Sequence, residues 1–145
     1  MKVNIKFTNK KAALPFKKHN SDLCYDLYAT SKKDLGNGYY EYGTGISLQL
    51  VGGVDSLNYG FEIKPRSSVW KTGMRLTNCT GVIDRDYTGE IKAVFFDECS
   101  ELPNYEIGDR ICQISLVCTK PLCFEVVDKL EETERGSGGY GSTGR

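Results

Sequence analysis

The sequence predicts an all-β domain, sandwich or barrel-like, that is built from many short strands. Three observations lead to this fold class. Short segments alternate with period two, turn signals containing Gly, Pro, Asn or Asp separate them, and no long window carries a helical stripe. A chain of 145 residues is long enough for one domain with one core.

The strands are predicted from alternating or continuously apolar runs of β-forming residues. They are VNIKF at 3–7, GISLQL at 45–50, YGFEIK at 59–64, EIKAVFF at 90–96, ICQISLVC at 111–118 and CFEVV at 123–127. The segment 78–96 is predicted as a hairpin, in which GVI and the last strand flank the polar turn DRDYTG. One short helix is expected near SSVWKTG at 67–73.

Composition excludes several function classes. Lys plus Arg and Asp plus Glu both number 19, so no net charge attracts nucleic acid or a membrane surface. No apolar run approaches 18 residues and the N-terminus lacks a signal-peptide core, so we expect a soluble intracellular protein. The six cysteines form no CxxC pair and are expected to be free thiols, without a zinc site. The one histidine, His19, lies in a polar stretch, which leaves a carboxylate as the plausible acid–base catalyst.

The sequence predicts a β-rich core at 1–130 and a C-terminal arm at 131–145. The arm ends in the glycine-rich segment RGSGGYGSTGR at 135–145. Ordering each residue costs about 1–2 kcal/mol, and no apolar side chain in this segment offsets that cost. One interpretation is a flexible tail or linker. The other is an arm that orders over a ligand, with Arg135 for anionic charge and Tyr140 for stacking.

Four internal segments carry candidate functional groups. Asp26 interrupts the apolar strand pattern CYDLYAT at 24–30, either on an exposed face, as a turn cap, or as a functional carboxylate. Arg66 and the two serines after it stand at a strand-to-helix junction in KPRSSVW at 64–70. They suit phosphate oxygens, although for this segment alone a helix N-cap by Ser67 or Ser68 is the simpler interpretation, and both can hold.

The third segment is NCTGVIDRDYTGEIKAVFF at 78–96, and the fourth is GDRICQISL at 108–116. Asp84 and Asp86 share one face of an extended chain, where Asp84 could act as a base toward water or simply belong to a charged hairpin tip. Gln113 is a polar residue in a buried-looking strand and needs partners from the protein or from a ligand.

Taken together, CYDLYAT, PRSS, GVIDRDYTGE, GDRICQISL and RGSGGYGSTGR resemble, in order and spacing, the five signature motifs of the homotrimeric dUTP pyrophosphatases (dUTPases). The match runs from about residue 22 to the C-terminus. The resemblance implies a distorted jelly roll, a homotrimer with sites at subunit interfaces, and Mg²⁺-dependent hydrolysis of dUTP to dUMP and pyrophosphate. Such an enzyme keeps uracil out of DNA and supplies dUMP for dTMP synthesis.

The resemblance also assigns roles. Asp84 matches the general base that activates water toward the α-phosphate, and Tyr87 matches the aromatic packed on the deoxyribose. Asp26 matches the carboxylate that holds Mg²⁺ through its water shell, whereas Asp86 is interpreted as structural. The uracil-binding hairpin would comprise Asn78, Gly81, Val82 and Ile83, and the phosphate contacts would be Arg66, Ser67, Ser68 and Gln113.

In the arm, the resemblance places Arg135 at the γ-phosphate and Tyr140 on the uracil ring. The other expected arm contacts to the triphosphate are Gly138, Gly139, Gly141, Ser142 and Thr143. In the family the arm usually comes from a neighbouring subunit. The chain departs from the family pattern at four positions, where Cys24, Trp70, Thr88 and Tyr140 replace commoner residues.

Two other functions remain open. A dCTP deaminase shares this fold and an Arg-Ser-Ser segment, but the intact GVID with Asp84 and the full arm favour a dUTPase. A non-catalytic nucleotide-sensing protein would bind dUTP without releasing pyrophosphate. Retention of Asp84, Arg135 and Tyr140 argues against sensing as the sole role.

Overall fold

The computed structural model describes residues 2–52 and 58–139, and these residues contain ten strands. The strands are β1 (Lys2–Phe7), β2 (Tyr25–Tyr28), β3 (Ser31–Gly36), β4 (Tyr39–Gly43), β5 (Ile46–Val51), β6 (Tyr59–Pro65), β7 (Met74–Leu76), β8 (Gly81–Ile83), β9 (Lys92–Asp97) and β10 (Arg110–Cys118). Within those residues, helical structure is limited to the 3₁₀ turn Val69–Lys71, in the segment where a short helix was predicted. No described helix is long and apolar enough to cross a membrane.

The strands form three antiparallel sheets, and the all-β prediction is confirmed. One sheet pairs β1 with β5, the second has the order β2-β10-β6-β8, and the third has the order β3-β4-β9-β7. Neighbours in these sheets are mostly distant in sequence, as in a jelly roll. One buried cluster contains side chains from all three sheets, so the core lies between them.

The core follows from the alternation of its strands. Ile46, Leu48 and Leu50 of β5 point inward, two residues apart, as the period of a strand requires. Next to them, Tyr42, Phe95 and Tyr105 pack edge to face, and their ring centroids lie 5.3–6.3 Å apart. Such aromatic pairs add about 0.5–1.5 kcal/mol each beyond the area that they bury.

The predicted hairpin at 78–96 is wrong. Strand β8 pairs with β6, with Phe61 opposite Ile83, whereas β9 pairs with β4 and β7 in a different sheet. The polar turn therefore carries the chain from one sheet to another. Alternation identified both strands correctly, but a period of two contains no information about which strand is the partner.

The predicted strand at 123–127 is not formed. Strand β10 ends at Cys118, and residues 119–130 have no regular structure. In this segment Leu122 is 75%, Phe124 87% and Val126 100% exposed. These apolar side chains alternate as in a strand, but a strand requires an edge to pair with, and the segment meets none among the described residues of its own chain.

All six cysteines are free thiols, as expected, and Cys112 is completely buried. Burial raises the pKa of the Cys112 thiol from 9.0 to about 12, and the nearby Asp26 carboxylate adds to the rise. The folded protein therefore keeps this proton at a pH where the unfolded chain has lost it. Stability attributable to Cys112 is consequently lost as the pH rises from about 9 toward 12.

This environment predicts that Cys112 resists alkylation, because the thiolate is the reactive species. At pH 8.5, we expect iodoacetamide to label the exposed Cys79 in the native protein and to label Cys112 only after unfolding in urea. Peptide mass spectrometry would measure both. Equal labelling rates at Cys79 and Cys112 in the native protein would contradict the buried placement.

Candidate active site

The register of β2 and β10 brings the first two candidate residues together. Asp26 lies directly opposite Gln113, and Gln113 lies opposite Lys64 on β6. Residues paired in this way have their Cβ atoms about 4.5–5.5 Å apart on the same face of the sheet. The Gln113 amide is half-buried and its Nε2 donates to the Pro65 carbonyl at 2.9 Å, so a protein group satisfies that donor.

Asp26 joins two arginines. Its Oδ1 accepts from Arg66 Nε at 2.8 Å and its Oδ2 accepts from Arg110 Nη1 at 3.1 Å. Arg66 Nη1 also donates to Ser68 Oγ at 3.2 Å and to the Arg110 carbonyl at 3.4 Å. Ser68 is the N-cap residue of the 3₁₀ turn but makes no side-chain cap bond. One carboxylate thus orients two guanidinium groups, and the cluster keeps a net positive charge.

Asp26 and its two arginines, but not Ser68, line an open, largely polar pocket of about 640 Å³, which we call the arginine pocket. Four predicted residues meet there, namely Asp26, Arg66, Ser67 and Gln113. The pocket is also lined by residues that the sequence did not indicate as functional, among them Phe16, Lys18, His19 and Arg110. Arg110 stands in the GDR that opens the fourth motif, and that position was the one signal for it in the sequence.

The ion-pair cluster predicts a stability effect. Replacing Asp26 by alanine leaves two adjacent guanidinium groups without their shared partner, and the three side chains are 17–38% exposed. We expect the free energy of unfolding to fall by about 1–3 kcal/mol. Urea denaturation would measure this. The matched control is Glu98→Ala, which breaks an ion pair with Arg75 that is about half exposed and should cost about 0–1 kcal/mol. Equal losses would contradict the cluster's role.

A second pocket, of about 210 Å³, lies at the turn after β8, and we call it the turn pocket. Six residues were predicted to bind uracil, to pack on the deoxyribose or to activate water. All six line this pocket, namely Asn78, Gly81, Val82, Ile83, Asp84 and Tyr87. A side chain at Gly81 would meet Ile63 Cγ1 at 2.6 Å and Asn78 Nδ2 at 2.9 Å. Glycine therefore lets β8 lie close to both neighbours.

The turn itself is held by its own groups. The Tyr87 amide donates to the Asp84 carbonyl at 3.1 Å, and Tyr87 Oη donates to the Glu90 carbonyl at 3.0 Å. A Cβ at Gly89 would lie 2.5 Å from the Tyr87 ring, so glycine is needed for the ring to fold back there. The extended geometry expected for Asp84 and Asp86 is wrong, because the chain turns between Asp84 and Tyr87.

The Asp84 carboxylate is exposed and forms no ion pair with any other described residue. Within the described chain it therefore differs from Asp26, whose two oxygens each accept from an arginine. A carboxylate without a cationic partner can accept a proton from water, whereas one bonded to two arginines is suited to positioning them.

The structure does not unite all the predicted residues. Among the described residues none lines both pockets, and β8 is three strands from β2 in their sheet, a separation of about 14 Å at the usual strand spacing. Trp70 is 72% exposed and lines a separate groove, outside both pockets.

The part of the arm that the structure describes makes local contacts. Arg135 Nε donates to the Gly138 carbonyl at 3.0 Å, and Gly139 is exposed. The remaining predicted arm residues, Tyr140, Gly141, Ser142 and Thr143, lie outside the described residues.

The donor set limits how a metal ion could be held. Among residues 2–52 and 58–139, no group of three or more His, Cys, Asp or Glu side chains could bind a metal ion. Both Asp26 oxygens already accept from arginine, but a carboxylate has about four lone-pair positions and can still accept from water. The residues therefore fit a water-mediated contact rather than direct coordination.

Together these features define a class of protein. A cationic pocket with hydroxyl and amide groups suits a chain of phosphates, and the turn pocket combines an aromatic ring with a carboxylate that pairs with no described cation. A jelly roll that carries both pockets has the surface chemistry expected of a nucleotide-binding protein. Comparison with known families makes this specific: the family model named dUTPase matches residues 10–144, and the chain belongs to the dUTPase family.

Relatives named deoxyuridine 5'-triphosphate nucleotidohydrolase match most of the chain. The protein from Corynebacterium glutamicum is 37% identical over 140 residues, which are 94% of this chain and 91% of the relative. The protein from Clostridium novyi is 36% identical over 146 residues, which are 99% of each chain.

Solved structures show the same fold. The Staphylococcus bacteriophage 80alpha dUTPase with dUPNHPP aligns with a TM-score of 0.81 at 21% identity, over 99% of both chains. A mutant dUTPase from phage phi11 of S. aureus, described for its coordination of a structural Mg(II) ion, aligns with a TM-score of 0.73 at 17% identity. The alignment covers 91% of this chain and 100% of that one.

Proposed function

We propose that this protein hydrolyses dUTP to dUMP and pyrophosphate by attack of water on the α-phosphate. The observation that carries the proposal is the placement of the internal motif residues. Ten of them line pockets, four in the arginine pocket and six in the turn pocket. Each pocket has the chemistry that one part of the substrate requires.

The chemical step is assigned to Asp84. Its exposed carboxylate takes a proton from water, and the oxygen of that water forms a bond to the α-phosphorus. The bond from this phosphorus to the bridging oxygen breaks, and the electron pair leaves with pyrophosphate. Arg66 and Arg110, held by Asp26, stabilise the negative charge on the phosphates.

Mg²⁺ fits this arrangement as an ion held by the phosphates, with Asp26 contacting its water shell. When bound, it would neutralise phosphate charge and orient the chain for in-line attack. The protein's own part is to keep Asp26 between the two arginines, so that the carboxylate faces the pocket at a fixed position.

Base and sugar selection are assigned to the turn pocket. Backbone groups of Gly81–Ile83 would pair with the uracil edge, and cytosine, with donor and acceptor exchanged, would leave them unpaired. The Tyr87 ring, folded back over Gly89, would pack against the deoxyribose and leave no space for a 2′-hydroxyl.

Assembly into a homotrimer with sites between subunits is part of the proposal. Apolar residues line a groove of about 470 Å³ between β1, β2, β6 and β10, including Leu14 at 63% and Leu116 at 44% exposed. The apolar segment 122–130 is exposed as well. Exposed apolar surface of this extent indicates association. A neighbouring subunit would join the two pockets and contribute the arm.

The decisive experiment measures pyrophosphate release from dUTP, with dCTP, dTTP and UTP alongside, in the presence and absence of Mg²⁺. We expect rapid Mg²⁺-dependent release from dUTP alone. Binding of dUTP without release would instead indicate a nucleotide sensor, and ammonia from dCTP would indicate a deaminase. Light scattering at the same protein concentration would test the trimer.

A further inference from the structure

The loop between Phe16 and Asp26 is fixed beside the arginine pocket. Phe16 and Asp26 exchange both backbone hydrogen bonds, at 3.0 and 2.7 Å, which closes the base of the loop. At its tip, the His19 amide donates to Asp22 Oδ2 at 2.9 Å and the Asp22 amide donates to the His19 carbonyl at 3.1 Å. Lys18 thus extends from a loop that is held at two places.

The two adjacent lysines of this loop have different surroundings. Lys18 lines the arginine pocket, is exposed, and forms no ion pair with any described residue. Lys17 does not line the pocket, and its Nζ lies over the Tyr25 ring at 4.4 Å from the centroid. The chain therefore contains two neighbouring cations of which one faces the pocket.

The side chains that line the arginine pocket carry three positive charges, on Lys18, Arg66 and Arg110, and two negative charges, on Asp22 and Asp26, so that the lining would be neutral without Lys18. Asp26 cancels one of the two charges of Arg66 and Arg110, so this cluster carries one net positive charge, from two arginines and one aspartate. A nucleoside triphosphate carries several negative charges, and an ammonium group is a common binder of phosphate oxygens. Lys18 is a cation on the same wall whose charge no described carboxylate pairs with.

We propose that Lys18 binds the phosphate chain of the substrate, so that the loop before Asp26 contributes a residue to the site. The inference rests on the proposed dUTP hydrolysis and names a further substrate-binding residue of the same site. Asp22 Oδ2 accepts from the His19 amide and so holds the tip of the loop next to Lys18.

The test compares Lys18→Met with Lys17→Met, which remove the same charge from adjacent positions. The measurements are KM and kcat for dUTP and the Kd of the imido analogue dUpNHpp, all with Mg²⁺. For Lys18→Met we expect KM and Kd to rise about three- to tenfold at low ionic strength, with kcat within about twofold. For Lys17→Met, KM, kcat and Kd should all stay within about twofold of the wild-type values. Lys18→Arg should recover most of the affinity that Lys18→Met loses.

Two further readouts separate direct contact from general electrostatics. The rise for Lys18→Met should shrink at high salt, and it should be smaller for dUMP, which has one phosphate, than for the triphosphate analogue. Equal rises of KM and Kd in the two lysine variants, or no rise in Lys18→Met, would overturn the inference. Hydrolysis of dUTP by the wild-type protein would still support the proposed function in that case. A wild-type protein that neither binds nor hydrolyses dUTP would overturn both.

Discussion

Replacing Asp84 by asparagine is expected to lower kcat for dUTP about 10²–10⁴-fold, the range that a positioned general base contributes. Asparagine keeps the shape of the side chain but cannot accept the proton from water. Because Asp84 is exposed and forms no ion pair with a described residue, its replacement leaves none of the described cations without a partner. The Kd of dUpNHpp should therefore stay within a few-fold of the wild-type value. Calorimetry would measure this Kd, and a steady-state assay would measure turnover.

The matched control is Asp86→Asn, which makes the same chemical change two residues away in the same exposed turn. Asp86 does not line the turn pocket, so its variant should keep turnover within a few-fold of the wild type. Near-normal turnover in Asp84→Asn would remove Asp84 from the role of base. Equal losses in both variants would indicate that the charge of the turn, and not one carboxylate, is what the reaction requires.

Strand positions could be predicted from the sequence more reliably than their pairing. The alternating β5 segment follows from its own side chains, because Ile46, Leu48 and Leu50 are buried on one face. The pairing of β8 with β6 depends on edges that distant parts of the chain provide. The strand prediction at 123–127 failed for the same reason, since alternation describes a strand that still needs a partner.

The candidate site shows the same division. Asp26, Arg66 and Gln113 were selected individually, and the register of β2, β10 and β6 explains why they meet. The sequence did not indicate the second arginine on Asp26, because Arg110 lies between a predicted turn and a predicted strand and only the folded chain brings it to Asp26. Lys18 precedes the first matched motif, so only a folded chain brings it to the pocket wall. Local patterns identify residue types, whereas the composition of a pocket depends on long-range contacts.

Deleting residues 135–145 is expected to reduce kcat/KM for dUTP by at least about 10²-fold, similar to the loss of a stabilising donor at a reacting phosphate. The proposed role of the arm is to close over the triphosphate with Arg135 and Tyr140 and to exclude water other than the nucleophile. The melting temperature should change little. Residues 131–139 are almost all exposed, and the backbone hydrogen bonds of Gly136 and Gly138 are local to the arm.

A variant with residues 135–145 replaced by a Gly/Ser sequence of equal length distinguishes chain length from side-chain chemistry. We expect it to be as inactive as the deletion, because ordering a residue costs about 1–2 kcal/mol and a Gly/Ser sequence offers neither a cation nor a ring to offset that cost. Full activity in this variant would contradict the roles of Arg135 and Tyr140. A lower melting temperature in the deletion would indicate instead that the arm stabilises the assembly, because the hydrogen bonds of its described residues, 131–139, are local to the arm.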